Sequence, residues 1–115
     1  MRTPTIEWAA GLFEGEGCMY KGHQSLAPHN PYYQLTVEMC DGDVVRAFAE
    51  FWGVGSVTND ANPSRKQHWT PTTRWRISKT SEVRRIISAM LPYFGNRRAH
   101  KALDILDDLE LANNN

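Results

Sequence analysis

Two carboxylates close an apolar stretch near the start of the chain, Trp8-Ala9-Ala10-Gly11-Leu12-Phe13-Glu14-Gly15-Glu16-Gly17. Read as a helix ended by Gly15 and Gly17, this segment sets Glu14 and Glu16 at a helix C-terminus, where negative charge opposes the helix dipole. A nearby cation relieves that placement. A divalent metal is one candidate, since Mg²⁺ takes oxygen ligands from one or two carboxylates together with phosphate. The plainer alternative is a pair of solvated glutamates. Gly11 and Gly15, four apart, form a stripe of small residues that lets a second backbone come close. The glycine spacing fits neither G-x-G-x-x-G nor G-x-x-x-x-G-K, so no phosphate-loop fingerprint is present. Cys18, His23, His29 and Cys40 lack C-x-x-C or H-x-x-x-H spacing, which argues against zinc.

A second chemistry lies in the distribution of charge. The totals cancel, with 13 Lys+Arg against 13 Asp+Glu. Along the chain they do not: residues 1–57 hold three bases against seven acids, and residues 58–101 hold ten bases against Asp60 and Glu82. The last stretch, 102–115, has four acids and no base. An anionic ligand meets the local field, not the sum, so a basic face survives the zero total. His68, Trp69 and Trp75 interleave the basic run. Solvated surface is the bland reading of such a run; a nucleic-acid surface is the sharper one.

The elements that must position these groups follow from periodicity. A chain of 115 residues is one domain's worth, 1–115, and buries roughly two-thirds of its extended surface on folding. No apolar run approaches the ~20 residues of a membrane span, and Met1 to Ile6 lacks the apolar stretch of a signal peptide. Two cysteines make no disulfide scaffold, so an intracellular, reducing compartment is expected. Thr3 and Pro4 read as N-cap and first position of the opening helix, which runs to about Glu14. Cys18 to His23 and the alternating Tyr32 to Met39 read as strands. Val44, Val45, Phe48, Phe51 and Trp52 recur at helical spacing behind Asp41, a candidate cap. Ser56 to Asn59 starts another strand, Asp60 to Thr73 a long turn, and Arg74 to Lys79 alternates again. Ser81 is a candidate cap for a helix stopped by Pro92, and Arg97 to Leu111 forms the last helix, with Asn113 to Asn115 frayed. The order αββαββα, with a further helix, predicts an α+β fold: an antiparallel four-stranded sheet with helices on one face and a bare, cationic other face.

Residues Ala9 to Gly17, Ala-Ala-Gly-Leu-Phe-Glu-Gly-Glu-Gly, resemble the nine-letter signature of the LAGLIDADG homing endonucleases. The element order, Gly53-Val54-Gly55-Ser56-Val57 and Leu91-Pro92-Tyr93-Phe94 also look like family counterparts, so the resemblance spans nearly the whole chain. It implies a sequence-specific DNA endonuclease that makes a staggered, metal-dependent double-strand cut in intron homing. One copy of the signature implies a homodimer through the first helix, with Ile6, Ala10, Gly11 and Glu14 in the seam. Glu16 matches the acid that binds the catalytic Mg²⁺, with the Gly15 carbonyl as a further ligand; Ca²⁺ is expected to support binding without efficient cutting. Arg97 stands where the family usually carries a catalytic lysine, and Met39 where it often carries glutamine.

The same resemblance lays two four-stranded sheets as a saddle over the major groove of duplex DNA. Phosphate contacts then supply affinity and strand side chains supply sequence readout. The candidate DNA-binding residues are Tyr20, Lys21, His23, Gln24, Gln34, Thr36, Thr58, Arg65, Lys66, Arg74, Arg76, Ser78 and Arg98. Two rival readings share the fold: a DNA-binding regulator that no longer cuts, favoured by Met39 and Arg97 but opposed by Glu16, and an RNA-splicing maturase.

Overall fold

The computed structural model describes residues 4–22, 32–59 and 71–113, and within them Thr5 opens the first helix. Helix α1 spans Ile6–Glu16. Thr5 caps it because its hydroxyl accepts from the Trp8 N–H at 3.2 Å, satisfying one of the free donors of the first turn. The start expected at Thr3-Pro4 is therefore corrected by two residues. The helix also outlasts its expected end at Glu14: Gly15 stays helical, and the chain turns only at Gly17, whose N–H donates to the Phe13 carbonyl. A Cβ at Gly17 would collide with the Phe13 ring, so glycine is what lets the strand leave the helix so closely.

Strand β1 (Gly17–Gly22) follows directly, then β2 (Tyr32–Met39), α2 (Gly42–Trp52), β3 (Ser56–Asn59) and β4 (Thr73–Ile77). Helix α3 covers Thr80–Met90, and after a 3₁₀ turn at Leu91–Tyr93, α4 runs through Asn96–Asn113. Asp41 sits at the N-cap of α2 without a side-chain capping bond. Lys79, not Ser81, precedes α3. Pro92 lies inside the 3₁₀ turn, so the chain tightens past Met90 before it breaks. Strand β4 ends at Ile77 rather than Lys79, and α4 holds helical form to Asn113. Of the turn expected from Asp60 to Thr73, residues 60–70 lie outside the described residues, and Thr73 already belongs to β4.

The four strands form one antiparallel sheet in the order β1-β2-β4-β3. Side chains alternate across it: Tyr33, Leu35 and Val37 on β2, and Thr73, Trp75 and Ile77 on β4, are buried. Helices α1, α2 and α3 pack on that face, and α4 packs on α3. Phe48 of α2 meets Trp75 edge-on at 4.8 Å between ring centres, and Phe13 of α1 stacks on Phe48 at 6.5 Å. Burying a phenylalanine contributes about 1.5–3 kcal/mol, and this cluster is where α1, α2 and the sheet meet. Gly55 takes a left-handed φ of 108° and leaves no room for a Cβ beside the Trp75 indole. The indole Nε1 donates to the Val54 carbonyl at 2.9 Å, seating β3 against β4. No described helix is long and apolar enough to cross a membrane.

Candidate nucleic-acid interface and metal site

Strand register sorts the expected contacts onto two faces. On the face away from the helices, Tyr20 lies beside Gln34. Cys18, Thr36, Arg76 and Ser56 make one row across all four strands. Glu38, Arg74 and Thr58 make the next. Tyr20 is 54% exposed, and Gln34 donates from Nε2 to the Tyr32 hydroxyl at 3.2 Å. Arg74 donates from Nε to Glu38 at 2.8 Å. Arg76 is exposed and makes no ion pair among the described residues. The face therefore offers donors, acceptors and cations at strand spacing, the inventory that a groove of base edges and phosphates requires.

Lys21 stands apart from this set. Its strand parity is that of buried Met19, so it reaches the helix-covered side, 3.5 Å from Asp108 of α4 and 5.7 Å from the centre of the Tyr33 ring. The Tyr33 hydroxyl donates to the same Asp108 carboxylate. Burial first, then that carboxylate, push the Tyr33 phenol well above its ordinary range. The Tyr33 hydrogen bond, helped by Lys21, holds Asp108 below its ordinary value despite some burial. Ser78 follows the end of β4 and is half-buried. His23, Gln24, Arg65 and Lys66 lie outside the described residues.

The end of α1 separates the two glutamates of the signature. Glu14 is tied down. Its Oε1 accepts from the Gly95 N–H at 3.3 Å, and its Oε2 lies 3.3 Å from Arg98 Nε. Arg98 also donates to the Glu14 carbonyl at 3.1 Å and covers the Phe13 ring. The two helices thus cap each other: a cation of α4 serves the C-terminus of α1, and a carboxylate of α1 serves the N-terminus of α4. Arg98, expected at DNA, has Nε and one Nη engaged with Glu14.

Glu16, the last residue of α1, is exposed and has no hydrogen bond or ion pair among the described residues. Phe13 and Glu14 carbonyls have donors; none among the described residues serves Gly15. A free carboxylate beside a free carbonyl is a hard-oxygen donor set, which suits Mg²⁺ or Ca²⁺. No group of three or more His, Cys, Asp or Glu side chains that could hold a metal occurs among the described residues. One chain therefore supplies part of a coordination shell, leaving positions for phosphate, water or a second copy. Arg97 is exposed on the first turn of α4, next to the Glu14–Arg98 tie. Met39, at the end of β2 opposite Thr73, brings no polar group.

The expected dimer residues also divide. Gly11 is exposed, with open space where a Cβ would stand, and Ile6 is half-buried. Ala10 is fully buried within the chain, so it is not part of any surface a second copy could meet. Cys18, Glu38 and Ser56 share the open face although sequence reasoning did not place them there. Strand parity with Thr36 was the available signal for Glu38.

Neither a known family model nor a curated protein matches this sequence. Solved structures do. The group I intron-encoded homing endonuclease I-CeuI, solved in complex with DNA, superposes on 99% of the chain with a TM-score of 0.76 at 16% identity. I-CvuI, solved with its target in the presence of Ca, matches 91% with a TM-score of 0.70 at 18% identity. The LAGLIDADG homing endonuclease I-GzeII, also with its DNA target, matches 98% with a TM-score of 0.68 at 22% identity. The chain has the LAGLIDADG homing-endonuclease fold. It spans 65% of the length of I-CvuI, 58% of I-CeuI and 37% of I-GzeII. In this LAGLIDADG fold the signature Ala9 to Gly17 occupies the last two turns of α1 and the first residue of β1. That junction delivers Glu16 to the rim of the sheet whose open face carries Arg74 and Arg76.

Proposed function

We propose that the chain is a DNA endonuclease of the homing type, acting inside a cell as a homodimer and cutting both strands with a stagger. The observation that carries the proposal is the junction of α1 and β1. A carboxylate, Glu16, and a carbonyl, Gly15, both without partners among the described residues, stand where a helix ends at an open face bearing Arg76, Arg74, Gln34, Thr36 and Tyr20. Arg76 fits a phosphate, fixing the duplex, while the neighbouring polar side chains meet base edges. Glu16 and Gly15 would hold a divalent ion, whose chemistry when bound is to activate water and neutralise charge on the leaving oxygen. Arg97, exposed on the first turn of α4, would balance phosphate charge with its guanidinium. Exposed Gly11 and Gly15 let a second α1 lie alongside the first, which sets two Glu16 side chains near the two strands of one duplex. The intron-encoded origin of I-CeuI supports a place in a mobile element.

One observation favours a second reading, a DNA-binding regulator that does not cut: Met39 offers no group to position water. A single experiment separates them. A duplex selected from a randomised library is incubated with wild type and with Glu16→Gln, in Mg²⁺ for nicking and in Ca²⁺ for gel shift. Wild type should bind and cut, while the variant binds and cuts roughly 100-fold more slowly or worse. Binding without cutting by wild type selects the regulator; full cleavage by Glu16→Gln overturns the role of Glu16.

A further inference from the structure

We infer that Glu38 and Arg74 act together as a reader of guanine, with the carboxylate orienting the guanidinium. This rests on the DNA-binding reading above and goes beyond it by naming a base and a positioning residue.

The two residues face each other in register on β2 and β4, the inner strands of the sheet, on its open side. Arg74 spends only Nε on Glu38 Oε2, at 2.8 Å. Its two Nη groups have no partner among the described residues, so the end of the fork stays available. Side-chain exposure is 50% for Arg74 and 36% for Glu38. An ion pair this solvated adds little to folding, so support of the fold does not account for it. Arginine otherwise swings through many rotamers; a fixed Nε holds the plane in which the Nη groups lie.

Charge balance points to a base rather than a phosphate. Arg74 is already offset by a carboxylate, and a phosphate brought to it would meet Glu38 as well. A guanine edge carries no net charge and offers N7 and O6, two acceptors spaced for the arginine fork. Arg76 supplies the internal contrast. It lies on the same strand and face, beside Thr36 and Ser56, with no carboxylate paired to it among the described residues. Arg76 is suited to phosphate, Arg74 to a base.

The test is selection of randomised duplex DNA in Ca²⁺ by the full chain, comparing wild type, Arg74→Ala, Glu38→Ala and Glu38→Gln, with sequencing of the bound pool. Melting curves check that all four are folded. Wild type should enrich guanine at one position of each half-site. Arg74→Ala should lose that preference by about 5- to 150-fold while the rest of the motif persists. Glu38→Ala should broaden the same position while the rest of the motif persists. Glu38→Gln, which keeps an acceptor oxygen, should fall between wild type and Glu38→Ala. An unchanged motif in Arg74→Ala overturns the reader, and an unchanged guanine preference in Glu38→Ala overturns the orienting role. No enrichment by wild type overturns the DNA-binding reading itself, and this inference with it.

Discussion

Among the described residues the same kind of ion pair, arginine to glutamate, occurs in two regions with opposite consequences. At the corner of α1 and α4, Arg98 and Glu14 are 84 positions apart in sequence, and Arg98 is only 22% exposed. Every contact there joins one helix end to the other: carboxylate to Gly95 N–H, guanidinium to the Glu14 carbonyl, and cation over the Phe13 ring. On the open face, Arg74 and Glu38 are cross-strand neighbours that share a single bond and leave most of their polar atoms to solvent. Residue type is identical; burial and the number of partners are not. An arginine that joins several partners across a half-buried corner is structure, and an exposed one bound through Nε alone can serve a ligand.

Stability measurements offer the sharpest way to break this contrast. Arg98→Ala strips the Glu14 carboxylate and carbonyl of a charged donor, and hydrogen bonds to charged groups contribute about 1.5–3 kcal/mol. Arg74→Ala removes an exposed pair and should cost at most about 1 kcal/mol. Urea unfolding of both variants checks the difference. Equal losses would mean that the corner is no more structural than the open face.

A second test sharpens the open face alone. If Arg76 neutralises one phosphate per chain, Arg76→Ala should flatten the plot of log K against log salt by about 0.9 for each chain bound. Arg98→Ala should leave the slope unchanged, since its charge is already consumed within the protein. Binding titrations across salt concentration decide this, and a flattened slope for Arg98→Ala would return that residue to the interface.

The smallest effect concerns a third tie, Tyr33–Asp108–Lys21, whose groups are partly solvated. Asp108 is held below its ordinary value, first by the Tyr33 hydrogen bond. A lowered folded value means the contribution is present above about pH 4 and is lost as pH falls through it. Tyr33 is shifted the other way, upward, so its contribution is complete below about pH 10 and fades as pH rises further. The stability gap between wild type and Tyr33→Phe should therefore be widest at neutral pH and narrow toward acid. Urea midpoints from neutral to acid pH read it; a constant gap would show that Asp108 does not carry the coupling.

Much of the fold was legible in the sequence because local physics writes it there. Alternation in Tyr32 to Met39 fixed β2 to the residue, and helical spacing with Gly53 gave α2. Errors fell at helix ends, where Thr5 and Lys79 took positions expected of Thr3 and Ser81. Two threonines compete at the start of α1, and Thr5 wins because its hydroxyl meets a free N–H, whereas Lys79 precedes α3 without a side-chain capping bond. Strand parity, also local, already divides Tyr20 from Lys21, although both had been expected at DNA.

Chain order and side-chain period were enough to specify the helices, the strands, the two faces of each strand and the placing of Glu16 at a helix end. They could not specify partners. Placing β2 beside β4 rather than β3, Glu38 against Arg74, and Glu14 against Arg98 joins residues 34 or more positions apart. Such pairings follow from how the helices close over Phe13, Phe48 and Trp75, because packing of the whole core sets which ends come together. Of two glutamates two residues apart, the fold tied one to α4 and left the other without a partner among the described residues, a difference that no local rule contains.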